Sequence, residues 1–221
     1  MDKLSLDSLK SARLSLERHI SSQIPKFEIL SKEGSSLMRF LSKLLYFNKH
    51  FMDKYVTTIY PNVYVPRLPF KENDPISAIA TLAHEYVHLK DRKKMGFLFN
   101  FLYLFPQNLV FFSLLGILNP WWYLCLLCIL PIPSPTRAWL EYRGYRMTLF
   151  VYEHYGAMKD HDDFLEWIAD HFVNSSYYWM FPIKSYIKNK LKRDLFLYGS
   201  QQKDISEVRE IINILGGDNK T

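Results

Sequence analysis

Apolar residues recur at helical intervals along most of this chain and crowd into strand-like composition in only one place. Leu4, Leu6, Leu9, Leu14, Leu16 and Ile20 stand among polar neighbours and predict an amphipathic helix from Leu4 to about Ile20. Pro25 and the Ser-Lys-Glu-Gly-Ser-Ser stretch at 31–36 break it. A second helix is predicted from Ser35 or Ser36, with Leu37, Phe40, Leu41, Leu44 and Leu45 along one face. The segment YVTTIYPNVYVP, within 55–66, is rich in Thr, Tyr, Val and Ile, and predicts a strand or a bent strand pair interrupted at Pro61 and Asn62. Asp74 is then placed to cap a helix whose first residue is Pro75 and whose body reads ISAIATLAHEYVHLKDRKK as far as Gly96.

Residues 95–136 carry no charged side chain. The first part is broken by Asn100 and by Pro106-Gln107-Asn108, and the second, WWYLCLLCIL, lies between Pro120 and Pro131. A spanning helix needs about 20 mostly apolar residues, which the first part barely supplies and the second does not. Lys90, Arg92, Lys93 and Lys94 precede the stretch, and Arg137, Arg143 and Arg146 follow it, a bias that keeps both ends on one side of a membrane. Two readings stand. One is a re-entrant or shallow hairpin entering from the cytoplasmic face. The other is a helical hairpin buried in a soluble protein or covered by a partner, and the short, interrupted halves favour it. Beyond lie a helix opened by Ser134-Pro135 and ending near Gly156, and another from the Asp162/Asp163 cap region. A basic segment, IKSYIKNKLKRD, precedes a last amphipathic helix, DISEVREIINIL.

Composition narrows the class. A chain of 221 residues with 48% hydrophobic and 23% charged residues can bury a full core as one domain with an inserted subdomain. The net charge of +6 permits contact with anionic surfaces, but the basic residues are dispersed and no RNA-binding signature or finger-like Cys/His spacing is present. No nucleic-acid partner is expected. Cys125 and Cys128 form a CxxC on a flat apolar run with no neighbour to lower a thiol pKa, so they read as two small buried residues in a reducing compartment. The first 20 residues hold no apolar stretch of the signal-peptide kind.

The chemistry is carried by His84-Glu85-Tyr86-Val87-His88, an HExxH. Residues four apart project from one face of a helix, so both imidazoles reach one zinc ion, with Glu85 beside the metal's remaining position. Zinc lowers the pKa of its water to roughly 7, and a carboxylate there takes the proton as that water attacks a carbonyl. The plain alternative is a pair of core or surface histidines without metal.

With this motif on a helix behind a candidate strand, residues 50–155 resemble the zincin metallopeptidases. The resemblance implies an α+β, mostly helical fold. A short sheet lies beside the HExxH helix, its edge pairing with an extended peptide, and an apolar helical hairpin precedes the third-ligand helix. It divides the chain into N-terminal helices (1–48), a zincin-like metal-binding core (49–156, including the apolar insert 95–133) and C-terminal helices (157–221). His88 is followed by Leu89, Lys90, Asp91, Arg92, Lys93 and Lys94 rather than the metzincin HxxGxxH continuation. In the gluzincin branch the third ligand is a glutamate from a later helix. Glu141 is the best placed, with Gly144 three residues on to admit close helix approach. Otherwise Glu141 is a solvated residue paired with Arg137 or Tyr145. Glu153, His154, His161 and His171 are further ligand candidates.

Within the gluzincins the chain is most similar to the HtpX and CAAX-prenyl-protease group, whose ligand helix reads ExxAD. Here Gly144 stands for the Ala and Tyr145 for the Asp, so the Tyr145 hydroxyl would take the aspartate's part in orienting the first zinc histidine. The stretch from Pro131 to Glu141 also resembles small zincin-like proteins encoded by bacteriophages. Tyr145, Tyr155, His154, Arg143 and the Tyr177-Tyr178 pair are candidate oxyanion donors. The expectation is a zinc-dependent peptidase: His84, His88 and Glu141 as ligands, Glu85 as general base, and an extended peptide or protein as substrate. The location expected is the cytoplasm or the cytoplasmic face of a membrane, or a virion for a phage-encoded chain. The alternatives are a catalytically silent zincin-fold structural or virion protein with structural zinc, and a membrane-associated protein whose apolar hairpin, 95–133, is the working part, with a membrane or a protein as its partner.

Overall fold

The structure is a computed structural model that describes residues 5–45, 48–68, 70–130, 132–174, 179–199 and 206–216. Its elements are α1 (Leu6–Gln23), β1 (Ile29–Ser31), α2 (Ser36–Leu44), β2 (Thr57–Ile59), β3 (Asn62–Val65), α3 (Pro75–Met95) and α4 (Phe97–Tyr103), then two 3₁₀ segments (Gln107–Ile117 and Pro120–Ile129), and α5 (Pro135–His154), α6 (His161–Val173), α7 (Lys184–Gly199) and α8 (Ser206–Gly216). The fold is α+β and mostly helical, as expected. It resolves into two compact units: Met1–Lys93 with Arg146–Met158 and Asp204–Thr221, and Lys94–Tyr145 with Lys159–Lys203.

The first unit holds the sheet, in the order β1-β3-β2. The strand-rich segment is indeed a pair: β2 runs antiparallel to β3, with Thr58 opposite Val63, and the chain turns at a cis Tyr60–Pro61 bond. β1, which the sequence reading passed over as a break, pairs in parallel with β3, Leu30 opposite Tyr64. Three residues between Pro25 and Gly34 are too few to show a period. α1 buries Leu9, Leu16 and Ile20, while Leu4 lies outside the described residues. α3 begins as predicted, the Ser77 amide donating to Asp74 Oδ1 at 3.1 Å. It buries twelve residues, including Ala78, Ile79, Leu82 and Ala83. α8 closes on α1 and α3 through a polar contact: Lys90 donates to Glu210 at 2.7 Å, and His19 Nε2 lies 2.9 Å from the same carboxylate and 3.1 Å from the Tyr86 hydroxyl.

Two features of this unit were not readable from the pattern. α2 begins where predicted, capped by Ser35, but its apolar stripe faces outward: Leu37, Phe40 and Leu44 are exposed and Met38 is the buried residue. A nine-residue helix shows its periodicity whether or not anything covers it. Lys32, in the loop read as a polar break, is fully buried. Its ammonium donates to the Phe51 carbonyl at 2.6 Å and stacks 4.0 Å from that ring.

In the second unit, the Ser134 hydroxyl takes the amide of Arg137 at 3.3 Å as α5 begins, and α6 is capped by Asp160. α6 and α7 pair through Leu165, Ile168, Phe172, Ile187 and Leu191 inside and through Lys184 and Lys188 against Glu166, Asp162 and Asp170 outside. Tyr142 of α5 donates to the buried Asp194 of α7 at 2.9 Å. The apolar insert is a hairpin, but of 3₁₀ rather than α geometry, and this chain does not bury it. Gly116 is the one buried residue of the first arm, and the second arm has none. The hairpin closes through Phe112 stacked on Trp122 at 5.8 Å, and through Gly116, where any Cβ would lie 2.4 Å from the Tyr123 ring. Cys125 and Cys128 are half-buried free thiols on the second arm.

Burial pulls the Lys32 ammonium down to about 8, against the opposing attraction of Glu85. The folded state therefore sheds this proton before the unfolded chain does, and stability should rise with pH between about 8 and the ordinary lysine value of 10.5. In Lys32→Met this increment is absent. Urea unfolding of both proteins at a series of pH values should show wild type gaining on the variant across that window and not below it.

Candidate metal centre

α3 is unusual in carrying four buried polar residues, His84, Glu85, His88 and Asp91, amid its apolar surface. Withdrawing such groups from water is costly unless each finds a partner. His84 and His88, one turn apart, answer this by facing each other: their Nε2 atoms are 3.1 Å apart and their rings meet edge to face at 70°. Glu141, buried on α5, completes a group in which one ligand atom from each of the three residues lies within 4.8 Å of the others. This buried group could hold a metal ion.

The donor set fits one. A tetrahedral zinc with bonds of about 2.0–2.1 Å to nitrogen or oxygen holds its ligand atoms roughly 3.3 Å apart. The two imidazole nitrogens, 3.1 Å apart, already stand at about that separation. Two imidazoles and one carboxylate suit a borderline-soft divalent ion. Among the described residues the group has three members, the number of protein ligands found where a catalytic zinc keeps a position open.

The supporting residues are ones the sequence did not announce. Thr148, two helical turns beyond Glu141 and on the same face of α5, places its hydroxyl 3.4 Å from His84 Nδ1. This is the position expected for the Tyr145 hydroxyl, whose ring instead packs among His171, Phe172 and Trp167. Tyr103 of α4 donates to Glu141 Oε1 at 2.5 Å and lies under the Arg137 guanidinium, 4.9 Å away. Thr58 of β2 donates to Glu85 Oε2 at 2.6 Å. A cavity of about 10 Å³, lined in part by Glu85, Thr81, Val56 and Arg13, has room for about one water molecule. Farther up the Glu85 face, Thr81 and Ser77 both accept from Lys71, at 2.8 and 2.6 Å.

The other candidates fall elsewhere. Arg143 stacks on Trp139 at 5.3 Å. His154 and Tyr155 contact each other at the end of α5, with ring centroids 5.0 Å apart, and burial pushes the Tyr155 hydroxyl up to about 12. His171 Nδ1 lies 2.8 Å from the Trp167 carbonyl, and His161 begins α6. None of His154, His161, His171 or Glu153 belongs to the three-residue group. Tyr177 and Tyr178 lie outside the described residues. The only signals that pointed to Thr58 and Thr148 were a hydroxyl on the strand preceding the motif and a hydroxyl seven residues past the glutamate. Compared with known proteins, the chain matches no protein family, no curated protein and no solved structure.

Purified from zinc-supplemented medium, the protein should carry one equivalent of metal by plasma mass spectrometry. His84→Ala and Glu141→Ala should lose it, and Thr148→Val should weaken binding about tenfold to a hundredfold in chelator competition. Full retention of metal by Glu141→Ala would remove α5 from the site.

Proposed function

We propose that the protein is a zinc-dependent metallopeptidase of gluzincin type that hydrolyses peptide bonds in extended substrates. The observation that carries this reading is the convergence of His84, His88 and Glu141 in a buried group, with the Glu85 carboxylate on the same helix held by a strand of the sheet. Zinc held by the three residues would acidify a water and polarise a substrate carbonyl.

Glu85 takes the proton from the attacking water and returns it to the leaving amine. Thr58 occupies Oε2 and so fixes the rotation of the carboxylate, leaving Oε1 as the proton-carrying atom. β2 is an edge strand with β3 on one side, and Thr58 is its middle residue, so a peptide added as a further strand along β2 would run beside Glu85. Thr148 holds His84 by its other ring nitrogen, and Tyr103 holds the glutamate ligand, so two ligands are oriented before any ion arrives.

Substitutions at two positions test the assignment on an unstructured protein substrate such as casein. Glu85→Gln should keep its zinc and lose hydrolysis by about 10²–10⁴-fold, the range typical of a lost general base. Thr58→Val should also keep its zinc, with kcat down about tenfold, and Thr58→Ser should restore it. A wild-type protein that holds zinc but cleaves neither casein nor a peptide library would leave the metal in a structural role and sink the peptidase reading.

A further inference from the structure

More than half of the large hydrophobic side chains exposed on the described chain fall between Phe97 and Leu130, with Ile117 at 86%, Leu118 at 81% and Trp121 at 76% exposure. Contiguous apolar surface on this scale marks an interaction site. Its chemistry says what covers it. No acidic side chain occurs between Asp91 and Glu141, and no charged one from 95 to 136. The polar residues at the base of the hairpin are engaged locally: Asn108 donates to the Phe101 carbonyl at 2.9 Å, Thr136 to Leu102 at 2.7 Å, Gln107 to Ile132 at 3.3 Å, and Ser134 to Phe105. At the turn, Asn119 accepts from the Trp121 amide at 3.1 Å. The backbone of each arm pairs within its own 3₁₀ helix rather than with a neighbouring strand, which suits entry into lipid.

A protein partner would leave a different signature, a polar rim and about one hydrogen bond per 100–200 Å². This surface offers few side chains for such bonds. In the sequence it is flanked instead by Arg92 and Lys94 before it and by Arg137 and Arg143 after it, and Arg143 lies over the half-exposed Trp139. Basic residues and tryptophan beside an apolar face match the headgroup region of an anionic bilayer.

We propose that the hairpin, from Phe97 to Leu130, docks the protein on an anionic membrane surface by shallow insertion into one leaflet. Its arms have 11 and 10 residues. At about 2.0 Å per residue each reaches roughly 20 Å, short of the ~30 Å hydrocarbon core. No single helix among the described residues is long and apolar enough to cross a membrane, and the apolar pair Phe97–Tyr103 and Gln107–Ile117 is bent by 91°. The chain turns back at Leu118-Asn119, and the exposed Trp121 and Trp122 stand next to that turn.

The test is flotation of the full-length protein with vesicles of phosphatidylcholine plus phosphatidylglycerol and of phosphatidylcholine alone. The mixed vesicles should recover the protein, pure phosphatidylcholine should recover at least about tenfold less, and high salt should weaken the capture. Ile117→Ser combined with Trp121→Ser alters only highly exposed side chains, and should abolish recovery while leaving circular dichroism and metal content unchanged. Tryptophan quenching by brominated lipids should be strongest for bromines near the headgroups. Failure of the wild type to float overturns the proposal. So does a lipid-independent dimer that the double variant dissociates, which would make a second copy the occupant, and so does proteolytic access to the hairpin turn from the far side of the vesicle, which would make it a span. Flotation, quenching and proteolytic access require neither zinc nor peptidase activity.

Discussion

Four polar side chains withdrawn from water along one helix constrain much of this molecule. His84, Glu85, His88 and Asp91 are buried on α3, and a buried polar group left without a partner costs about 1–3 kcal/mol. The fold meets that demand from several directions. β2 brings Thr58 to Glu85, α5 brings Thr148 to His84, and the two histidines turn toward each other. The sheet is minimal, three strands of three or four residues, and one of its clearest tasks is to hold a hydroxyl against a carboxylate. A core designed for stability alone would fill the same positions with leucine.

The motif helix was the most legible part of the chain because several independent signals coincide there. Asp74 and Pro75 mark its start, the apolar period marks its face, and HExxH places two imidazoles on one side of the helix. Glu141 followed from the resemblance rather than from any local pattern, and it belongs to the buried group of three that could hold a metal ion. The hydroxyls behind the ligands were not legible. Threonine and tyrosine serve as core, strand and surface residues alike, so only contact across long sequence separations reveals Thr58, Tyr103 and Thr148. The aspartate seat assigned to Tyr145 shows the same limit: a position can be read from a motif, but the group that fills its role can sit a turn away.

The remaining differences have physical causes too. β1 is a long-range parallel partner of β3, and three residues cannot advertise a pairing made 34 residues away, Ile29 to Val63. The apolar insert reads equally well as α-helix or 3₁₀, since a run with so few polar residues has no clear face from which to measure a period. The same uniformity hid its exposure, because hydrophobicity predicts removal from water without saying whether protein or lipid removes it. α2 repeats the lesson on a smaller scale, with a regular stripe that this chain leaves uncovered.

Glu141 and Thr148 share one uninterrupted helix, α5, two turns apart. The two are therefore geared together. Inserting or deleting one residue between them swings one member about 100° around the helix axis, since each residue of an α-helix advances by that angle. Side chains along this span can vary in size and polarity, but its length is fixed, and descendants of this sequence are free to change what lies between 141 and 148 while keeping the count.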